Sequence, residues 1–159
     1  MKLRRACKAD LPGLVKLLEE VLMVHYEGRP DLFKPHTRKY TDAELLELID
    51  DDTRPIFVAT ADDAAAGDIL GYAFCVYQQY VNHNNMTDVR TLYIDDICVD
   101  EEARGQHVGT ALYRHVIDFA REQGFYNVTL IVWTCNPGAQ AFYEAMGMKP
   151  FRVSMETIL

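Results

Sequence analysis

The sequence predicts an α/β domain over residues 1–159, with a mixed, mostly antiparallel central sheet of six to seven strands and helices on both faces. Three stretches carry that prediction. Leu92 to Tyr113 (LYIDDICVDEEARGQHVGTALY) reads as a strand, a tight basic and glycine-bearing turn, and the opening of a helix. Asn127 to Thr134 (NVTLIVWT) follows that helix as a β-branched, apolar run, so the two strands flank a crossover and should lie parallel. Upstream, Ile56 to Thr60 and Ile69 to Tyr77 are short apolar runs joined by the polar ADDAAAGD, the pattern of an antiparallel hairpin.

The remaining elements follow in chain order. Lys2 to Cys7 is a short first strand. Asp10 caps a helix with Pro12 in its first turn, where a missing N–H costs little. Leu11, Leu14, Val15, Leu18, Val21 and Leu22 recur at three and four residues and give that helix one core-facing stripe, ending near Tyr26. Glu27 to Lys39 carries two prolines and a glycine and reads as an irregular loop. Thr41 and Glu44 form a capping box for a short second helix. Val81 to Asp88 (VNHNNMTD) is a turn leading into the central strand, Arg90 to Val99. A helix runs from about Val108 to Arg121, with Gly124 beyond its end. Asn136 and Pro137 begin the last helix, Gly147 closes it, and Lys149 to Leu159 alternates as a final strand.

Composition narrows the function. The chain is 49% hydrophobic, enough for one core, and no apolar run approaches the roughly 18 residues of a membrane helix. The opening MKLRRACKAD is basic but is followed by Pro12, Lys16, Glu19 and Glu20, unlike a secretory signal, so a cytoplasmic protein is expected. Cys7, Cys75, Cys98 and Cys135 stand singly, without CxxC spacing, so reduced, buried thiols are expected, with no metal site and no disulfide framework. A formal net charge of −8 argues against nucleic-acid binding and favours a cationic small molecule or peptide, although a solvated acidic surface explains the same charge.

The chemistry concentrates around the central strand. Asp95 and Asp96 are two carboxylates in an otherwise apolar run. Adjacent strand residues point to opposite faces, so only one can reach a given site unless a bulge intervenes; pairing with an arginine such as Arg90 is the plain alternative. Arg104, Gly105 and Gly109 then lead into the N-terminus of a helix, whose opening amides attract anions. The two glycines are the positions expected to bring the backbone close to a phosphate.

Arg104-Gly105-Gln106-His107-Val108-Gly109 resembles the acetyl-CoA-binding motif Q/R-x-x-G-x-G/A of the GNAT superfamily of N-acetyltransferases, with His107 in the place of the first glycine. Asn136 to Met148 (NPGAQAFYEAMGM) resembles the family's second landmark, which packs beside the cofactor and carries a catalytic tyrosine. The resemblance implies acetyl transfer from acetyl-CoA to an amine by direct attack in a ternary complex, with no metal. It implies cofactor contacts from Ile97, Cys98, Val99, Arg104, Gly105, Gln106, His107, Val108, Gly109, Thr110 and Asn136, and a general acid at Tyr143, whose alternative is simple core packing. His107 either weakens phosphate binding or supplies a compensating hydrogen bond.

Asp95 and Asp96 are the candidate bases; a similar acidic run in polyamine acetyltransferases of the family puts Asp95 first. The resemblance also puts Tyr26, Phe33 and Tyr40 on the acceptor wall, with core packing as their alternative. The expected acceptor is a small cationic amine. The alternatives are a protein N-terminus or lysine, or an acyl-CoA-binding module without turnover. A homodimer is expected from the resemblance alone.

Overall fold

The computed structural model describes residues 1–159. Its sheet has five strands in sequential order: β1 (Lys2–Arg5), β2 (Ile56–Thr60), β3 (Gly71–Gln79), β4 (Arg90–Val99) and β5 (Asn127–Leu130). β1 to β4 pair antiparallel and β5 pairs parallel to β4. The helices are α1 (Leu11–Gly28), α2 (Asp42–Ile49), α3 (Val108–Glu122) and α4 (Pro137–Ala145).

Period-2 alternation sorts the strands between two cores. Ile56, Val58, Tyr72 and Phe74 face Leu14, Leu17 and Leu18 of α1 and Leu45 of α2. Phe57, Ala59, Ala73 and Cys75 face Val108, Leu112 and Val116 of α3, with Phe142 and Tyr143 of α4 packed alongside. Helices therefore cover both faces, as the sequence predicts. Gly71 lies where these layers close most tightly: a Cβ there would meet Cys98 O at 2.7 Å.

Four expectations are corrected. The sheet has five strands, not six to seven, because Lys149 to Leu159 forms no strand and none of its backbone groups joins a hydrogen bond. Phe151, Val153 and Met155 consequently stand exposed. β5 stops at Leu130 rather than Thr134, and Ile131 beyond it is exposed. Asp10 precedes α1 but does not cap it with its side chain: its buried carboxylate takes both Arg4 guanidinium nitrogens and the Cys7 amide. Cys75 and Cys98 are buried free thiols, but Cys7 and Cys135 are exposed. The capping box at Thr41 and Glu44 forms as read, with the Thr41 amide donating to Glu44 Oε2 at 2.7 Å. No helix is long and apolar enough to cross a membrane.

Candidate active site

β4 carries a bulge. Phe74 of β3 lies opposite Asp96, and its neighbour Cys75 lies opposite Ile94, which leaves Asp95 as an extra residue on β4. The insertion breaks the alternation and brings both carboxylates to the face covered by α1 and α2. Asp95 Oδ2 accepts from the Tyr40 hydroxyl at 2.9 Å and from Lys39 Nζ at 2.8 Å. Asp96 Oδ2 accepts from the Tyr72 hydroxyl at 2.9 Å. Arg90 pairs with neither; its guanidinium lies over the Phe125 ring, 4.4 Å from the centroid.

The environments of the two acids differ. Burial pushes the Asp96 carboxyl up to about 6, and the charge of Asp95 adds to that, against the Tyr72 hydrogen bond and the Lys39 ammonium. Asp95, by contrast, is neutralised directly by Lys39 and tied to Arg54 through Tyr40, whose hydroxyl accepts from the Arg54 guanidinium at 3.2 Å.

Beyond the bulge the sheet opens. β5 pairs with β4 only from Thr91 to Ile94, so the half of β4 from Asp95 to Val99 has a strand neighbour on one side alone. The Asp100 amide donates to Leu70 O on the β3 side. Antiparallel alternation therefore turns the Ile97 and Val99 amides the other way, toward the opening left by β5. The Cys98 side chain is buried on the α1 face.

The turn that follows supplies a second set of free donors. Between Gly105 and Thr110 no backbone N–H donates to a protein acceptor. Gly105 has φ 77° and His107 has φ 62°, so the left-handed residues of the turn are 105 and 107, and Gly109 is not one of them. This explains why a glycine suits position 107: the conformation is strained for most side chains, and histidine is among the more tolerant exceptions. Gly109 instead sits within α3, where an added Cβ would make ordinary contact with Val99 at 3.5 Å. His107 N-caps α3 without a side-chain hydrogen bond, leaving the helix terminus open to an anion. Arg104 and Gln106 are exposed on the same turn, where Gln106 Nε2 donates to Glu102 O at 3.1 Å.

α4 closes this side of the opening. Asn136 caps it, Oδ1 accepting from the Ala139 amide at 3.1 Å, which leaves the carboxamide nitrogen unused. Tyr143 is half-buried among Phe142 and Tyr113, with centroids 5.2 and 6.5 Å away. Burial raises its phenol well above the usual tyrosine range, and the charge of Asp96 adds to this. Its hydroxyl makes no hydrogen bond to the protein.

The segment between α1 and α2 lies over the same face as the two acids. Tyr40 stacks on Phe74 at 5.8 Å and holds Asp95. Phe33 stacks on His25 at 5.1 Å and meets Trp133 edge-on at 5.3 Å. Tyr26 is half-buried near the end of α1 and hydrogen-bonds to neither acid. Sequence reasoning missed Lys39, Tyr72, His25 and Trp133. Only Tyr72 left a signal, a hydroxyl within the apolar first half of β3. No group of three or more His, Cys, Asp or Glu side chains is arranged to hold a metal.

A family profile described as the acetyltransferase (GNAT) family matches residues 19–148. This chain belongs to that family of acyltransferases. Its members use acetyl-CoA as cosubstrate, and the free amides of the Gly105 to Thr110 turn, together with the β4 and β5 opening, fit an anionic group joined to an extended arm. The chain is 25% identical to bovine (Bos taurus) thialysine N-epsilon-acetyltransferase over 147 residues, covering 91% of this chain and 82% of that protein. It is 29% identical to glucosamine 6-phosphate N-acetyltransferase 1 of Oryza sativa over 99 residues, covering 62% and 56% of the two. It is 40% identical to human N-acetyltransferase 8 over 60 residues, or 38% of this chain and 26% of that protein. The chain thus spans about a quarter to a half of several relatives it matches. A mutant of the BH1408 protein from Bacillus halodurans has the same fold, with TM-score 0.93 at 24% identity over 100% of this chain and 99% of that one.

Proposed function

We propose that this protein transfers the acetyl group of acetyl-CoA to a small cationic primary amine, with both substrates bound together. The observation that carries the reading is the β4 bulge, which turns Asp95 and Asp96 to one face at the point where β5 leaves the sheet. The names of the relatives support a small amine over a protein acceptor, since thialysine and glucosamine 6-phosphate are both small.

The residues divide the work as follows. The amides from Gly105 to Thr110 and the α3 terminus hold the pyrophosphate, with Arg104 and Gln106 beside them and the buried Val108 fixing the turn. The Ile97 and Val99 amides, with Cys98 between them, receive the pantetheine arm and the thioester oxygen; one such donor supplies a few kcal/mol in the transition state. Asn136 offers its unused carboxamide nitrogen to the same arm.

An alkylamine with a lysine-like pKa is protonated at neutral pH, and freeing it costs about 4 to 5 kcal/mol. Asp96, poised near 6 by burial, takes that proton, directly or through a water. Asp95 ranks first by resemblance, but its ion pair with Lys39 suits it better to attract the ammonium than to accept its proton. Tyr143, its phenol held protonated by burial, gives a proton to the departing thiolate. Tyr40 and Phe33 line the acceptor space, and Tyr26 borders it at the end of α1.

The test is release of free CoA thiol from acetyl-CoA against polyamines, aminoglycosides, amino acids and peptide N-termini. Turnover on one cationic amine class supports the proposal. Binding of acetyl-CoA with no turnover on any amine favours a non-catalytic module instead.

A homodimer is also proposed. β5 is an edge strand, and the Lys149 to Leu159 segment, irregular and unpaired in its own chain, has an alternating sequence that suits it to pair with a partner's edge. The exposed free thiols Cys7 and Cys135 support a reducing, cytoplasmic setting.

A further inference from the structure

Lys39 is the one ammonium that sits among the acids and aromatic rings of the acceptor side. Its Nζ lies 2.8 Å from Asp95 Oδ2 and 5.5 Å from the centroid of the Tyr40 ring. Its charge is felt by His25, Tyr93 and Asp96, which face it from α1 and from β4. A primary ammonium held by a carboxylate and an aromatic face is the arrangement proposed above for the acceptor, and here the chain's own side chain fills it. The segment that carries it, between α1 and α2, has no regular structure from Arg29 to Tyr40.

We propose that Lys39 is itself an acceptor, acetylated on Nζ within its own chain. This rests on the acetyl-transfer reading above. The ammonium loses a proton through the β4 carboxylates, and the freed lone pair forms the C–N bond to the acetyl carbonyl carbon. The C–S bond breaks and the CoA sulfur leaves with its electron pair. Two protons leave the nitrogen in all: one ends on the thiol of CoA, and the other passes to solvent.

The side chain of Lys39 is 47% exposed, so water screens its pairing with Asp95. It therefore leaves Asp95 readily, and a diffusing amine competes with it. Acetylation removes its charge, releases Asp95, and leaves the site more anionic for the next ammonium.

The experiment incubates the full chain with acetyl-CoA alone and follows intact mass and peptide mapping over time, at several protein concentrations. Thiol release on added amines is run in parallel. The expected result is one acetyl group on Lys39, appearing with first-order kinetics independent of protein concentration. It should form at least ten times faster than on the exposed Lys2, Lys8, Lys34 or Lys149. Lys39→Arg, which keeps the positive charge, should abolish the mark without its reappearing elsewhere. An unmodified Lys39 in a preparation that acetylates added amines overturns this inference and leaves the proposed function standing. Labelling spread evenly over the lysines, or a rate proportional to protein concentration, also overturns it. Failure of transfer to both Lys39 and every amine overturns the two readings together.

Discussion

Tyr72 and Asp96 meet diagonally across β3 and β4, the phenol donating to the carboxylate at 2.9 Å on the face under α1. Tyr72 is fully buried, and Asp96 sits one position beyond the bulge that turns it to that side. The pairing makes burial of the acid tolerable without neutralising it. A hydroxyl hydrogen bond offsets part of the desolvation, and the remainder appears as the upward shift of the carboxyl to about 6.

Asp96→Asn should therefore stabilise the fold at neutral pH while lowering turnover. Because the folded-state value lies above the ordinary carboxylate value of 3.8, the folded protein holds a proton that the unfolded chain has already released between the two. Stability consequently falls as pH rises from about 4 to 6, and the whole penalty, about 3 kcal/mol at most, is present above that window. Chemical denaturation should find Asn more stable than Asp by on the order of 2 kcal/mol at pH 7.5, with the gap closing near pH 4. Equal stabilities at both pH values would mean that the carboxylate carries no burial penalty.

Tyr143→Phe preserves the ring packing against Phe142 and Tyr113 and removes only a hydroxyl without a protein partner. The expected outcome is a drop in kcat of about 100-fold, the contribution of a general acid, with unchanged acetyl-CoA affinity by calorimetry. Equal turnover in the two proteins would return Tyr143 to a packing role.

At the turn before α3, positions 107 and 109 should separate. His107→Gly relieves a left-handed side chain and should raise stability by about 1 kcal/mol, with acetyl-CoA affinity maintained or improved. A marked loss of affinity would instead assign the imidazole a phosphate contact. Gly109→Asp has room for its Cβ and should fold normally, yet its charge at the α3 terminus should cut acetyl-CoA binding at least tenfold. Unchanged affinity would remove this turn from the cofactor site.

Removing residues 149–159 takes away no backbone hydrogen bond within the chain and only the Glu156 ion pair with Arg29. Light scattering is expected to give a dimer for the full chain and a monomer for the shortened one. Two identical masses per chain would exclude the tail as the pairing element.

These outcomes depend on features of very different legibility. Strand and helix types followed from short apolar runs and from capping, because Ile56 to Thr60 or Thr41 with Glu44 encode their structure within a few residues. The motif at Arg104 to Gly109 located the helix terminus, but not which residue turns left-handed, since that depends on how the three-residue helical turn Glu101–Ala103 delivers the chain. Asp95 and Asp96 were visible as misplaced acids, whereas the bulge that unites them is a property of the β3 and β4 register and leaves no mark in either strand alone. Lys39 and Trp133 join the site only through tertiary contacts far from their own sequence neighbours. The alternation of the tail read as a final strand, and the structure overturns that reading, because no edge of the chain's own sheet takes the segment up.

The most direct test is the pH dependence of kcat for acetyl transfer to the best amine acceptor, measured for wild type and Asp96→Asn from pH 5 to 9. The expected wild-type profile rises through an acid limb near 6, where Asp96 ionises, and the variant loses that limb together with most of its rate. A variant that keeps both the rate and the limb would contradict the assignment of Asp96 as the group that frees the amine.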